Sequence, residues 1–533
     1  VCGSAAMGRG VLAALGEALG GGEAAVEALR AEGRLIQEVW GDAAPKPPER
    51  MAVFDPPARR PKKDNGATLA PDTVQELIEA RRSIFPKDYT GAALDDSCVK
   101  QLLDVARWAP THGKTEPWRF VVFSGFGRAA LIDATLAFYR SREEGFWKVA
   151  WGGEFNGFAE FETHVERQRA EKWMRCSHLI SICMRRQQPQ EGKRLFPAHE
   201  EVAAVACAVQ NMHLLATAMG RGAYWSSWFD HFTASSDGVQ FHGLNAGEGD
   251  LWLGVFCLGA SDRHAAYRAS RRPLGEIARW RDSLEAKPDD GTCAGVDTFA
   301  AAPRLLRNKG QAWPRRDAAV EDVAALIRLR RSIFPKDYTG ASVDDAMVRR
   351  LLDAARWAPS HGKTEPWRFV VYAGDGRNRL IDATLAYYNS RPVEFWKAAW
   401  GGEFPAFSDF EAHMERQRKE KWLKCSHLVA ICMRRQQPEE GKRLFPEREE
   451  IAAVSCAVQN MHLLATSLRI GAYWSSWFDH FVDSADGVDA QGLCARKGDK
   501  WLGVFCIGRS DRLEQYRPPA RRPVEEITVW RPA

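Results

Sequence analysis

Residues 109–118 read APTHGKTEPW, and residues 358–367 repeat them as APSHGKTEPW. The first copy ends a helical pattern and leads into an apolar strand pattern, RFVVF at residues 119–123. Two prolines, a glycine and several polar side chains therefore separate a helix from a strand. Because polar loops held between rigid elements commonly carry binding chemistry, we expect this loop to carry the function.

The unit around this loop occurs twice with a constant offset. His361 follows His112, and Trp474 follows Trp225, by the same interval (361 − 112 = 249; 474 − 225 = 249). A repeat of this length indicates a duplicated domain rather than a short solenoid unit. A flexible linker of about 35 residues reaches roughly 30–35 Å, which lets two domains pack as an internal dimer. We predict an N-terminal extension and linker at 1–70, a first domain at 71–281, a linker at 282–316 and a second domain at 317–533.

The composition is typical of a soluble globular protein, with 45% hydrophobic and 27% charged residues. The 74 basic and 69 acidic side chains nearly balance, so charge gives no basis for a nucleic-acid or membrane-surface partner. No apolar run reaches the length of about 18 residues that suggests a membrane span. The chain begins at Val1 rather than Met, so its start says little about targeting.

The 12 cysteines include no CxxC pair, and eight of them (Cys176, Cys183, Cys207, Cys257, Cys425, Cys432, Cys456 and Cys506) lie in apolar patterns. This setting favours buried free thiols over disulfides or metal ligands. We therefore expect a reducing compartment, the cytoplasm or an organelle interior.

Helical spacing and cap residues predict most elements of the first copy. Asp72 is the expected cap of a helix that ends at residues 81–83, and Asp95 or Asp96 that of the next. Gly220 is the expected end of a long Ala-rich helix. The further predictions are helices at 127–139, 158–175 and 200–219, and strands at 178–184, 223–228 and 251–258.

Three motifs follow one another in each copy: a helix that ends in RRS, the WAPxHxxxxPW loop and a GAYWSS strand. Together they resemble the FMN-dependent nitroreductase family over about residues 71–280 and 320–530. The resemblance implies an α+β, nitroreductase-like αβα fold with a central, mainly antiparallel sheet flanked by helices. It further implies that two tandem copies form a pseudo-dimer with FMN at each interface.

The resemblance places the FMN phosphate and ribityl chain on the end of the first helix and on a basic C-terminal pair. Guanidinium groups suit a phosphate, which they bind bidentately. A solvated helix end and a surface basic tail are the structural alternatives. The residues are Arg81, Arg82, Ser83, Arg271 and Arg272, with Arg330, Arg331, Ser332, Arg521 and Arg522 in the second copy.

The resemblance places the flavin ring between the loop of one copy and a strand of the other. A cation at Lys114 would stabilise the anionic reduced flavin. Glu116 stands where many relatives have Gln, and its carboxylate opposes the flavin charge unless it pairs with Lys114 or accepts the flavin N3–H. A capping histidine and an ordinary half-buried strand are the structural alternatives. The residues are His112, Lys114, Glu116, Trp225, Ser226 and Ser227, with His361, Lys363, Glu365, Trp474, Ser475 and Ser476.

Two further features have weaker interpretations. The aromatic segments 146–155 and 395–404 occupy the region where the family places substrate-covering helices, and a satellite core explains them equally well. Arg185, Arg186, Lys193 and Arg194 form a basic loop, for which solvation is favoured over a dinucleotide phosphate contact. The sequence contains neither a GxGxxG fingerprint nor a P-loop.

These features predict an FMN-dependent oxidoreductase that uses NAD(P)H as a transient hydride donor. Its expected acceptors are nitroaromatics, quinones or related conjugated compounds, reduced in a ping-pong cycle without a metal or a catalytic side chain. Two alternatives stay open: a specialised branch (reductive dehalogenation, flavin fragmentation or dehydrogenation) and a non-catalytic flavin-binding module. In the pseudo-dimer, the loop at 109–118 would serve the flavin held by Arg330 and Arg331.

Overall fold

The computed structural model describes two compact units, Val1–Ala67 and Thr68–Ala533. In the first unit, strands β1 (Cys2–Ser4) and β2 (Glu38–Trp40) pair in parallel. Most of the predicted extension, the predicted linker and the aromatic segments lies outside the described residues. The structure describes residues 2–4, 38–40, 69–143, 145–146, 155–190, 195–244, 247–281, 305–306, 320–395, 404–439, 444–487, 496–517 and 519–532.

The second unit contains both copies of the repeat. The elements of the first copy are α1 (Pro71–Ala80), α2 (Asp96–Ala106), β3 (Trp118–Phe123), α3 (Gly125–Arg140), α4 (Phe158–Glu171), β4 (His178–Met184), α5 (Ala198–Ala218), β5 (Gly222–Ser226), α6 (Asp230–Thr233), α7 (Ser236–His242), β6 (Leu251–Gly259), β7 (Ser270–Arg271) and β8 (Ala278–Arg281). Short 3-10 helices lie at Pro86–Asp88, His112–Lys114, Trp173–Arg175, His264–Ala266 and Leu274–Glu276.

The second copy repeats this order after the two-residue strand β9 (Leu305–Leu306), which pairs with β7. Its elements are α8 (Val320–Leu329), α9 (Asp345–Ala355), β10 (Trp367–Tyr372), α10 (Gly374–Asn389), α11 (Phe407–Glu420), β11 (His427–Met433), α12 (Glu447–Ser467), β12 (Gly471–Ser475), α13 (Asp479–Val482), β13 (Lys500–Gly508), α14 (Val524–Ile527) and β14 (Thr528–Arg531). Its 3-10 helices lie at Pro335–Asp337, His361–Lys363, Trp422–Lys424 and Leu513–Gln515.

Local sequence signals explain several of these boundaries. Asp95 caps α2, since its side chain accepts a hydrogen bond from the Ser97 N–H. The prediction that Asp72 caps α1 is wrong: Pro71 opens that helix and Asp72 lies in its first turn. Proline fits there because its φ is already helical and its missing N–H would be unpaired in any case. Beyond α5, Gly220 has a φ of +64°, as expected for a helix-ending glycine.

Each copy has one five-stranded sheet, and each sheet takes its last strand from the other copy. The first sheet runs β14-β3-β4-β6-β5 and the second β12-β13-β11-β10-β8. The exchanged strands β14 and β8 pair in parallel with β3 and β10, whereas the other neighbours are antiparallel. The two copies are therefore intertwined within one chain.

Both faces of each sheet are covered by helices, which gives three layers. Side chains alternate along a strand, so Phe120 joins the inner core with α1, α2 and α5 while Val121 joins the outer core with α3 and α4. The inner core is one continuous cluster that includes residues of both copies. The architecture is thus the expected α+β fold, with a mainly antiparallel sheet between helices.

The long helices α5 and α12 pack against each other at the centre. Gln210 Nε2 donates to Asn460 Oδ1, and Gln459 Nε2 donates to Asn211 Oδ1, each at 2.7 Å. All four side chains are buried. These reciprocal amide bonds fix the register of the two helices, because a slipped helix would leave the amides unpaired in the core.

Candidate functional site

Two cavities lie between the copies, and both copies contribute to the walls of each. The larger one, of about 390 Å³, contains Arg448, and we call it the Arg448 cavity. The smaller one, of about 310 Å³, contains His199, and we call it the His199 cavity. The Arg448 cavity is lined by Ser83, Phe85, Tyr224, Trp225, Ser227, Asp230 and Leu253 of the first copy and by residues 359–363, Arg448, Glu449, Ala452, Ala453 and Cys456 of the second. The His199 cavity is lined by residues 110–113, His199, Glu200, Ala203, Ala204 and Cys207 of the first copy and by Ser332, Phe334, Tyr473, Trp474, Ser476, Asp479 and Leu502 of the second.

The repeated loop, at residues 109–118 and 358–367, has a strained backbone in both copies. Gly113, Lys114 and Glu116 have φ values of +53°, +59° and +45°. Lys363 and Glu365 repeat them at +58° and +45°. Left-handed backbone is costly for residues other than glycine, and such strain concentrates at functional sites.

The loop histidine is held by the start of the long helix of its own copy. His112 Nδ1 hydrogen-bonds to Glu200, and its ring stacks on Phe196 at 3.9 Å between centroids. Arg186 supports this arrangement, because it pairs with Glu201 and donates to the Phe196 carbonyl at 2.5 Å. The ring therefore has a fixed position on the wall of the His199 cavity.

The same arrangement recurs in the second copy. His361 hydrogen-bonds to Glu449 and stacks on Phe445. Arg435 pairs with Glu450 and donates to the Phe445 carbonyl. Arg186 is thus a buttress of the loop rather than the solvated side chain predicted from the sequence. Arg185 pairs with Asp250, while Lys193 and Arg194 lie outside the described residues.

A buried arginine cluster adjoins the Arg448 cavity. Arg81 is only 2% exposed, and its Nη2 donates to the Trp357 carbonyl of the other copy at 3.2 Å. Its Nε and Nη1 are buried without a hydrogen-bond partner among the described residues. Arg82 and Arg271 lie over the Trp357 ring, at 5.9 and 5.8 Å from its centroid. Burial, Arg271 and Arg82 together lower the pKa of Arg81 to about 9.

The second cluster adjoins the His199 cavity in the same way. Arg330 donates to the Trp108 carbonyl at 3.3 Å and is 3% exposed. Among the described residues, its Nε and Nη1 also have no partner. Burial, Arg521 and Arg331 lower the pKa of Arg330 to about 9. Arg521 reaches across to the Ala109 carbonyl at 2.8 Å.

The loop glutamates hold the C-terminal arm of the opposite copy. The Glu116 carboxylate accepts from the Arg522 backbone N–H at 3.0 Å, and the Glu365 carboxylate accepts from the Arg272 N–H at 2.8 Å. Both glutamates are buried. Each carboxylate is thus engaged beside the arginine pair, and neither glutamate lines a cavity. Lys363 lines the Arg448 cavity, whereas Lys114 is exposed and does not line the His199 cavity.

The predicted strand residues divide between cavity and core. Trp225 and Ser227 line the Arg448 cavity, and the Trp225 Nε1–H donates to the Leu253 carbonyl at 2.5 Å. Gly254, with a φ of +91°, lets this bond form, because a Cβ there would lie 2.6 Å from the Ser226 carbonyl. The Ser226 hydroxyl is buried and accepts from the Trp228 N–H.

The strand residues of the second copy have the same arrangement. Trp474 and Ser476 line the His199 cavity, and Ser475 accepts from the Trp477 N–H. The structure therefore brings together, around each cavity, the loop of one copy with the serine and strand residues of the other.

Sequence reasoning missed the residues at the start of the two long helices. His199 and Arg448 occupy equivalent positions (448 − 199 = 249) and differ in charge. Arg448 Nη2 pairs with Asp230 Oδ2 at 3.2 Å, whereas His199, Glu200 and Asp479 have ligand atoms within 4.8 Å of one another. Glu200 also bonds His112, so we treat this trio as cavity wall. Aligning the two copies position by position would have exposed the difference.

Two general findings complete the description. Nine cysteines have side chains that the structure describes; all nine are free, and eight of them are buried. Among the described helices, none has the length and apolarity needed to cross a membrane.

Comparison with known proteins places this geometry in context. The model of the nitroreductase family matches residues 78–260 and again residues 327–509. The Bacillus subtilis (strain 168) protein YfhC, assigned as an NAD(P)H nitroreductase, is 26% identical over 206 residues, which cover 38% of this chain and 90% of YfhC. The nitrobenzene nitroreductase of Ectopseudomonas oleovorans is 37% identical over 67 residues, 13% of this chain and 29% of that protein. Among solved structures, the FMN-dependent nitroreductase NfnB of Mycobacterium smegmatis in complex with NADPH has a TM-score of 0.27 and 18% identity, over 38% of this chain and 94% of that one.

Proposed function

The chain belongs to the nitroreductase family, and we propose that it is an FMN-dependent oxidoreductase that uses NAD(P)H to reduce nitroaromatic compounds and related conjugated acceptors such as quinones. The observation that carries this proposal is the pair of buried arginine clusters beside the two cavities. Similarity to an NAD(P)H nitroreductase and to a nitrobenzene nitroreductase supports the choice of donor and acceptor.

The arginine clusters fit a phosphate. Buried charges in proteins are normally paired, and buried N–H groups normally have acceptors. Arg81 and Arg330 satisfy neither rule among the described residues, and burial together with the neighbouring arginines depresses the pKa of both. A phosphate monoester carries nearly two negative charges and three acceptor oxygens, which would compensate both the charge and the unpaired donors.

The residues that would hold the FMN phosphate at each cavity come from a single copy. Arg81, Arg82 and Arg271 would bind the phosphate, with Ser83 next to them on the cavity wall. In the His199 cavity, Arg330, Arg331, Arg521 and Ser332 would do the same.

The ring would lie between a tryptophan strand of one copy and a loop of the other. Trp225 and Ser227 face Ser360 and His361 across the Arg448 cavity. Bound FMN would supply the hydride chemistry, taking a hydride from the nicotinamide and passing it to the acceptor. Lys363 would place a positive charge near the ring and so favour an anionic reduced state.

Two features of the chain prepare the site. The strained loop is fixed by the histidine–glutamate bond and by the engaged carboxylate of Glu365, so little reorganisation is left for binding. Donor and acceptor would occupy the same cavity in turn, from which we expect ping-pong kinetics.

The nine free cysteines fit a reducing compartment.

Flavin content and turnover test the proposal. The purified chain, incubated with FMN and desalted, should be yellow and should release close to two FMN per chain, one for each cavity. With oxygen excluded, it should oxidise NADPH or NADH when nitrobenzene is added, and double-reciprocal plots at several acceptor concentrations should be parallel. A chain that takes up no FMN would contradict the proposal, and one that takes up FMN without turnover would be a flavin-binding module.

A further inference from the structure

The two cavities differ in charge where the long helices begin. In the Arg448 cavity, Arg448 is a permanent cation, one-third exposed, that pairs with Asp230. Its Nε is buried without a partner among the described residues, and the Arg448 side chain lines the cavity. A guanidinium with an unused N–H is a donor for a carboxylate or another oxyanion.

The equivalent side chain in the His199 cavity is a neutral imidazole at neutral pH. Burial is the largest cause that lowers the pKa of His199, opposed in part by Glu200. Asp483, Glu447 and Lys500 of the second copy also act on His199 electrostatically.

The first copy lacks counterparts of those three charges. The positions equivalent to Asp483, Glu447 and Lys500 are Ala234, Ala198 and Leu251. At this rim, where the long helices begin, the three charged residues that act on His199 therefore have apolar equivalents in the first copy.

A formal count shows the size of the difference at neutral pH. With histidines neutral, the lining of the His199 cavity has two anions and no cation, Glu200 and Asp479, a net charge of −2. The lining of the Arg448 cavity has two anions and two cations, Asp230, Glu449, Arg448 and Lys363, a net charge of 0. The two cavities thus differ by two elementary charges.

We propose that the two cavities select acceptors by charge: the Arg448 cavity takes conjugated acceptors that carry a carboxylate or another anionic substituent, and the His199 cavity takes neutral ones. This inference rests on the proposed function and assigns the acceptor class of each cavity. An anionic acceptor gains a donor at Arg448, whereas in the other cavity the charged lining residues are the anions Asp479 and Glu200. A neutral acceptor has no net charge for Arg448 to attract or for the carboxylates of the His199 cavity to repel.

Exchange of the two side chains tests the inference in the full chain loaded with FMN. The probes are 4-nitrobenzoate and nitrobenzene, which share the reducible group and differ in one carboxylate. The measured quantity is the ratio of their kcat/KM values with the same nicotinamide donor. Arg448→His should lower this ratio about fivefold, the size expected for one partly exposed ion pair, and His199→Arg should raise it. Arg448→Lys keeps the positive charge, so its ratio should be close to that of the wild-type chain.

The ratio of the two kcat/KM values distinguishes a change in acceptor selectivity from a general loss of activity. A purely structural role would lower both kcat/KM values together and leave the ratio unchanged, and bound FMN per chain reports folding of each variant. An unchanged ratio in both Arg448→His and His199→Arg overturns the inference while the proposed function stands. If the wild-type chain reduces neither probe, the proposed function itself fails.

Discussion

The two cavities of this chain share the buried arginines proposed to bind the phosphate, here called the cradle, but not the residue at the rim. Arg81 and Arg330 are equally buried, each bonds to a tryptophan carbonyl of the other copy, and the pKa of each is lowered to about 9. In contrast, His199 and Arg448 stand at equivalent positions and differ in charge. The buried arginines are the same in both copies, whereas the residue on the rim differs.

The difference has a physical reason. A cradle arginine packs against the opposite copy, so its replacement disturbs two halves of the molecule at once. A rim residue at a helix start is partly exposed, and substitutions at such positions cost little stability. A duplicated chain can therefore keep two cofactor sites while their acceptor preferences diverge.

The largest expected effect comes from removing one cradle arginine at a time. Arg81→Met keeps the apolar volume but removes the cation, and it should empty the Arg448 cavity of FMN and leave one FMN per chain. Arg330→Met should empty the His199 cavity instead. Charge-assisted hydrogen bonds contribute about 1.5–3 kcal/mol each, so affinity at the altered site should fall at least about tenfold. FMN titration of the apo chain measures both sites.

The stability of the apo variants serves as the control for that pair. Replacing an imperfectly paired buried charge by an apolar side chain is often neutral or stabilising, so the apo melting temperature should not fall. A drop of equal size in the apo and FMN-bound forms would assign Arg81 a structural role and contradict the cradle.

The strand exchange offers a second way to separate the two halves. Val529 in β14 pairs with Val121, and Arg279 in β8 pairs with Val370. Proline in a paired strand removes a ladder hydrogen bond. Val529→Pro should therefore loosen the first sheet, and Arg279→Pro the second, by about 1–3 kcal/mol each. Amide exchange should accelerate at Trp118–Phe123 in one variant and at Trp367–Tyr372 in the other.

Alanine at the same two positions controls for the lost side chains. Val529→Ala and Arg279→Ala keep the backbone N–H and should leave exchange in the neighbouring strand close to wild type. Faster exchange within the proline variant's own copy instead would contradict the exchange of strands between copies.

Much of this organisation could be predicted from the sequence, because it depends on local or repeated signals. The duplication, strand β4 at 178–184 and the cap at Asp95 are such features. The exchanged strands are not, since ARWR at 278–281 and TVWR at 528–531 are too short for a periodic signal and their partners are distant in the chain.

The site shows the same limit. Resemblance to the family implied that a flavin would lie between the loop of one copy and the strand of the other, and residues of these two segments do line the same cavities. A single sequence could not show where each side chain points. The Glu116 carboxylate was expected to oppose the flavin charge, and the structure instead gives it a backbone N–H of Arg522. The contrast of His199 with Arg448 was visible in the repeat, yet only the cavities show that it matters.

The smallest expected effect concerns acid stability, where the two copies differ by one buried histidine. His242 donates from Nδ1 to the Gly238 carbonyl at 2.5 Å and accepts at Nε2 from the Ser181 hydroxyl at 2.9 Å, so its ring is neutral. Burial is the largest cause that lowers its pKa, to about 4. The equivalent residues of the second copy are Gln491 and Ala430.

The unfolded chain, with a histidine pKa of about 6.5, binds a proton between about pH 6.5 and 4 that the folded chain does not. The stabilisation is therefore complete above about pH 6.5 and is lost as the pH falls toward 4, by up to about 3 kcal/mol. Protection factors from amide exchange should fall earlier in β4 and β6 than in β11 and β13 as the pH is lowered, and His242→Gln should remove that difference. His213 and His462 are both buried, each with a pKa lowered to about 3, so they affect the acid stability of the two copies equally. If β4, β6, β11 and β13 of the wild-type chain lose protection at the same pH, His242 contributes no difference between the copies.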